Sequence, residues 1–204
     1  MMEILLTIAI PTVEQRIEIF NELYNELKRQ TEPYGEQIEI IFLRDNKEMT
    51  IGHKRQLLNE MAKGKYVVQW DDDDWIHPNG IDMIMEGIKS DADVISYNYS
   101  CDIPLDDKSK YPRKVSIEHQ NFHNTETNLL MVTPDPKNPI KREIVNKVKF
   151  DDVSHSEEYF FKLDVRKYLK TEYKIDEDVY QILNRSGESY DFQKRYNLKP
   201  KRLM

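Results

Sequence analysis

Four consecutive aspartates, Asp71 to Asp74, follow the apolar run Tyr66-Val67-Val68-Gln69-Trp70, and the chain's two tryptophans, Trp70 and Trp75, bracket them. Carboxylates in a row repel one another. A buried strand can end in them only if a cation lies close or some of them face water. Hard divalent ions take oxygen ligands, and magnesium is held through one or two carboxylates together with substrate phosphates. An acidic cluster at the carboxyl end of an inner strand therefore suits a metal–diphosphate site. Most charge runs are solvated loops, but direct attachment to an apolar strand and the flanking tryptophans count against that here. A second acidic pair, Glu157-Glu158, opens a later helical pattern, where the macrodipole alone would favour it.

The elements that must position these groups are legible from periodicity. Ile4 to Ile10 is a near-continuous apolar run, as expected of an inner parallel strand. Thr12 stands three residues before Gln15, a capping-box spacing, and Val13, Ile17, Phe20, Tyr24 and Leu27 then recur at helical intervals. Ile38 to Leu43 forms a second strand ending in Arg44-Asp45-Asn46. Thr50 to Ala62 forms a second helix with Leu57, Leu58 and Met61 on its core face and Gly64 as its stop. The strand before the aspartates is third. Pro78 opens a third helix carrying Ile81, Ile84, Met85 and Ile88, and Val94 to Tyr99 is a fourth strand. The order β-α-β-α-β-α-β implies an α/β domain with a mostly parallel sheet covered on both faces.

Residues 101–140 are polar, hold five of the nine prolines and show no long period, which predicts a loop that is functional or disordered. Lys141 to Val148 reads as a short helix, the segment from Ser156 toward Tyr168 as another, and Tyr173 to Tyr180 as a last strand or two. Six basic residues after Leu183 make the tail locally basic.

The 204 residues suit one domain, and 39% hydrophobic against 33% charged content suits a soluble, highly charged protein. No apolar stretch reaches membrane-span length. The apolar N-terminus lacks a basic leader and meets Pro11, which favours a first strand over a signal peptide. Cys101 is the single cysteine, so an internal disulfide is excluded and a reducing, cytoplasmic setting is expected. A net charge of −7 argues against a broad surface for nucleic acid or anionic membrane.

Four pieces together resemble a small GT-A fold glycosyltransferase of the large inverting family 2 type, especially compact phage and bacterial versions. Ile8-Ala9-Ile10-Pro11-Thr12 resembles that family's first strand and nucleotide-binding loop, and Arg44-Asp45-Asn46 its base-reading turn. Ile51-Gly52-His53-Lys54-Arg55 through Gly64-Lys65-Tyr66-Val67-Val68 resembles the stretch before the metal motif. Asp71 to Pro78 stands at the D-x-D position. The resemblance covers roughly the first hundred residues well. It implies a GT-A domain over residues 1–184, with a nucleotide-sugar half (1–100) and an acceptor-side half (101–184), followed by a basic C-terminal extension (185–204).

The resemblance also implies roles. Asp73 is the direct metal ligand for Mn2+ or Mg2+, Asp71 the other arm of the motif, and Asp72 a contact to ribose or metal. Asp74 is structural, capping the next helix. Pro11, Thr12 and Asp45 meet the nucleotide base, and Arg55 meets the diphosphate or the base. Glu158 is the acceptor-side base, with Glu157 an open alternative. Plainer readings stand beside these: Thr12 as a helix cap, Asp45 bonding its own turn, Arg55 as a snorkelling helix residue, and Lys54 facing water. His119 and His123 read as loop residues, since zinc needs more ligands than they offer; His155 adjoins the glutamate pair.

The expected activity is metal-dependent, inverting transfer from a nucleotide sugar, a UDP-sugar before others, to a hydroxyl acceptor. That acceptor would be a glycan, a lipid-linked glycan or a modified nucleic acid. Donor binding is expected to order residues 101–140 or the tail over the site. A nucleotidyltransferase would want a glycine-rich basic loop where Pro11-Thr12-Val13-Glu14 stands, and a non-catalytic nucleotide- or metal-binding module would bind UDP without turnover.

Overall fold

The computed structural model describes residues 3–102, 112–124 and 129–183. The expectations placed on the basic tail, and on residues 103–111 and 125–128 of the loop 101–140, therefore lie outside the described residues. Strand β1 (Leu6–Val13) leads through a 3-10 turn (Glu14–Arg16) into helix α1 (Ile17–Thr31) and then strand β2 (Ile38–Asp45). Helix α2 (Ile51–Met61), strand β3 (Tyr66–Gln69), the short strand β4 (Trp75–Ile76), helix α3 (Gly80–Ile88) and strand β5 (Val94–Asp102) follow. Beyond them come β6 (Arg113–Val115), β7 (Phe122–Asn124), β8 (Leu129–Val132), β9 (Ile140–Lys141), α4 (Arg142–Val145), α5 (Glu157–Val165) and β10 (Glu172–Leu183).

All strands join one sheet in the order β2-β1-β3-β9-β5-β6-β8-β7, with β10 parallel to β5 and antiparallel to β4. β1 runs parallel to both β2 and β3, Ile8 lying opposite Ile40 on one side and Val68 on the other. The three strands thus deliver their carboxyl ends, and the residues just after them, to one edge. The α/β architecture with a mostly parallel sheet is as the sequence predicts. The fourth parallel strand does not touch the third, however, because the two-residue β9 is inserted antiparallel between β3 and β5. Residues 112–124 and 129–132, expected as loop, contribute β6, β7 and β8. Their strands are three or four residues long, too short for periodicity to reveal.

The strand period of two divides the core. Tyr66, Val68 and Trp70 face a cluster with Phe20, Leu23 and Leu27 of α1 and Ile81 and Ile84 of α3. Val67 faces the other layer, with Ile144, Val145, Phe161 and Val165 of α4 and α5. Helix α2 departs from expectation: Met61 is exposed, while Lys54, Arg55 and Asn59 are buried beside Leu58. Its inner face is polar because it looks onto the carboxyl edge rather than onto a hydrophobic layer. Gly64 does not end this helix, which stops at Met61. A Cβ on Gly64 would lie 2.5 Å from the Thr7 backbone nitrogen, so glycine is required there for close approach to β1.

Candidate active site

The aspartate run splits into four environments. Asp71 receives the Arg55 guanidinium at 2.5 Å on one carboxylate oxygen and the Lys137 ammonium at 3.0 Å on the other. Burial would raise its pKa, but these two cations outweigh burial and hold the carboxyl well below the usual range. Asp72 is buried, accepting from the Thr12 hydroxyl at 2.6 Å and from Arg16 at 2.8 Å. Asp73 is more open and pairs with Arg16 at 3.1 Å. Burial, followed by the repulsion of Asp71 and Asp72, raises its pKa despite that arginine. Asp74 turns away into the fold, accepting from the Tyr180 hydroxyl at 2.6 Å and the Leu183 amide at 3.0 Å. Burial and the neighbouring Asp71 and Asp73 push it well above the ordinary value. Asp74 is therefore structural, as expected, but it ties the run to β10; the N-cap of α3 is Asn79.

Arg55 is the hub. Its side chain is 1% exposed, which excludes the snorkelling reading. It reaches Glu158 at 2.6 Å, Glu157 at 3.4 Å and the Gln69 side-chain oxygen at 3.3 Å, besides Asp71. One planar fork of donors thereby joins the end of β3 to the first turn of α5. Gly52 makes this junction close enough. Its amide donates to the Val153 carbonyl at 2.9 Å, and a Cβ there would lie 1.9 Å from the Asp151 carbonyl oxygen.

Lys137, which sequence reasoning did not single out, completes the cluster. It is 4% exposed and pairs with both Asp71 and Glu158. Burial opposes its charge, but the two carboxylates outweigh burial and raise its pKa. The segment carrying it is pinned: Trp70 Nε1 donates to the Lys137 carbonyl at 3.2 Å, and Asp135 accepts from the Lys137 amide at 3.0 Å. The Tyr99 hydroxyl lies 2.7 Å from both the Asp135 and the Asn138 side chains. Prolines at 134, 136 and 139 restrict this segment, but nothing in the sequence says what it faces.

Lys54 does not face water. It is 4% exposed, and its ammonium binds Asp45 and the Thr12 carbonyl, the latter at 2.8 Å. Asp45 also accepts from the Met49 amide at 2.8 Å, so it closes its own turn and fixes Lys54. Thr12 lies inside β1 and donates to Asp72; it caps no helix, and α1 begins only at Ile17.

These groups line a cleft of about 620 Å³ at the carboxyl edge, which contains Pro11, Thr12, Arg55, Asp71, Asp72, Asp73, Glu157 and Glu158 together with Arg16, Lys54 and His155. Of the sequence-derived candidates, Asp45 alone is set back from its lining. His119 lies elsewhere, its ring nitrogen 3.1 Å from the Lys114 carbonyl, and the His123 side chain lies outside the described residues. A cleft of about 670 Å³ at the amino edge, lined by Lys63, Lys65, Lys141 and Arg142 among others, gathers no paired carboxylates. The carboxyl-edge cleft is the one that gathers the candidate carboxylates. Its hard oxygen donors suit Mg2+ or Mn2+, and the mutual repulsion felt at Asp73 is what a cation would relieve. Among the described residues no cluster of three ligands is preassembled.

No family model and no curated protein matches the sequence. Solved structures do. TarS 1–349 of S. aureus in complex with UDP-GlcNAc is similar with a TM-score of 0.64 at 16% identity over 90% of this chain and 60% of that one. The mannosyltransferase PcManGT from Pyrobaculum calidifontis in complex with GDP-Man and Mn2+ is similar with a TM-score of 0.55 at 11% identity, over 91% and 59%. The fold is shared with these structures, and the chain spans about 60% of the length of TarS 1–349.

Proposed function

We propose that the chain is an inverting glycosyltransferase that moves a sugar from a nucleotide sugar, a UDP-sugar before others, to an acceptor hydroxyl. One observation carries this reading: Arg55 and Lys137 bind the end of the acidic run and the Glu157–Glu158 pair into one cleft, at the edge where open α/β sheets bind ligands. The shared fold with structures holding UDP-GlcNAc and GDP-Man supports the donor class.

In this reading Pro11 and Thr12 flank the nucleotide and Asp45 acts through Lys54. Arg55 lies beside the diphosphate, and Asp72 holds the ribose side. Asp71 and Asp73 would hold Mn2+ or Mg2+, which would supply Lewis-acid stabilisation of the charge gathering on the departing diphosphate. Glu158 takes the acceptor hydroxyl's proton as that oxygen bonds to the anomeric carbon. The bond from that carbon to the phosphate oxygen breaks, and its electron pair leaves with the nucleoside diphosphate. Glu158 is preferred to Glu157 because 27% of its side chain is exposed to the cleft against 8%.

Incubation with UDP-, GDP-, CMP- and dTDP-sugars plus Mn2+, with and without EDTA, tests the reading through released nucleotide. Glu158→Gln is expected to lower turnover about 10²- to 10⁴-fold while leaving UDP binding intact. Equal turnover in the variant, or no nucleotide bound by either protein, overturns the assignment.

A further inference from the structure

Arg16 belongs to none of the sequence motifs, yet among the described residues it is the one cation paired with Asp72 and Asp73. The 3-10 turn after β1 carries it over the aspartates, where a single guanidinium nitrogen lies 2.8 Å from Asp72 and 3.1 Å from Asp73. Its side chain is 47% exposed, against 1% for Arg55 and 5% for Lys137. Arg55 and Lys137 are built into the fold; Arg16 is a long, half-exposed side chain at the mouth of the cleft.

Each oxygen of Asp71 already carries a cation, and those of Asp72 carry Thr12 and Arg16. Five carboxylates, Asp71, Asp72, Asp73, Glu157 and Glu158, face three cations paired to them, Arg16, Arg55 and Lys137. The formal deficit of two is the charge of one divalent ion. An ion at Asp73 would sit against the Arg16 guanidinium, and like charges at that range repel by kcal/mol rather than tenths. A diphosphate offers the same guanidinium a bidentate alternative.

We propose that Arg16 is the counter-ion of Asp72 and Asp73 until a metal–diphosphate ligand arrives. It then transfers to the diphosphate, so that entry of the cation depends on the nucleotide. This rests on the donor-site reading above and adds an order of binding to it. By linkage, the factor by which nucleotide tightens the cation equals the factor by which the cation tightens nucleotide. Arg16 is the residue that enlarges this factor.

Titration of the full chain with Mn2+, with and without UDP, followed by the paramagnetic signal of free Mn2+, measures that factor without any turnover. Wild type is expected to bind Mn2+ weakly alone and much more tightly with UDP. Arg16→Met should bind Mn2+ alone about tenfold more tightly, screening at this half-exposed site holding the gain to that scale. Its coupling factor should fall by at least as much, and Arg16→Lys should lie between. Equal coupling in wild type and Arg16→Met overturns the proposal while leaving the donor site standing. Absence of UDP-dependent Mn2+ binding in either protein overturns the proposal and the metal-dependent donor site together. Circular dichroism of the variants confirms that a half-exposed side chain has been removed without unfolding.

Discussion

Replacing Arg55 with methionine keeps the side chain's bulk and removes the charge that holds the site together. Three carboxylates lose their shared partner: Asp71 at 2.5 Å, Glu158 at 2.6 Å and Glu157 at 3.4 Å. Among the described residues, Lys137 alone then stays paired with Asp71 and Glu158. Breaking a buried pair by removing one member costs about 3–5 kcal/mol, because the remaining charge is left uncompensated. Asp71 and Glu158 each keep about a quarter of their side-chain surface accessible, so the lower end applies, about 3 kcal/mol. For a chain of this size that lowers the melting temperature by roughly 6–12 °C.

The pH dependence of that loss separates charge from packing. In wild type the Asp71 pKa is depressed, so the stability it contributes is present above the unfolded value near 4 and lost as pH falls. In Arg55→Met the crowded carboxylates take up protons at higher pH than in the unfolded chain, so their repulsion is relieved as pH falls. The gap between the proteins should therefore narrow from pH 7.5 to pH 5. Urea unfolding of both proteins at the two pH values measures it. A loss under 1 kcal/mol at pH 7.5, or a loss of the same size at both, would refute the idea that Arg55 works by charge compensation.

Two further outcomes follow from particular contacts. The folded-state pKa of Asp74 is raised, so its ionisation costs stability as pH climbs above the unfolded value. Asp74→Asn should thus be neutral near pH 4 and neutral to stabilising by about 1 kcal/mol at pH 8, read from urea midpoints; a loss that grows with pH would contradict that sign. Gly52→Ala should force α2 and the 151–153 segment apart, since its Cβ would meet the Asp151 carbonyl oxygen at 1.9 Å. A cost of about 1–3 kcal/mol is expected, with lowered turnover because Glu157 and Glu158 move with that segment. Unchanged stability and turnover would show that Gly52 does not set the junction.

The sequence by itself determined the strands β1, β2 and β3, helices α1 and α3, and the placement of an acidic run after a buried strand. Each depends on a local period or a local run of residue types, which any chain order makes visible. The family resemblance also marked Arg55 and the Glu157–Glu158 pair as residues to watch. What joins them was decided only by tertiary structure. The polar inner face of α2 has no hydrophobic period, so Lys54 looked solvated and Met61 looked buried. Lys137 is 66 positions from Asp71 in a segment without periodicity, and Arg16 sits on a turn whose neighbours in sequence say nothing of Asp72. Counter-ions are chosen by distance in space, and the sheet's parallel crossovers bring together at one edge residues that the chain keeps far apart.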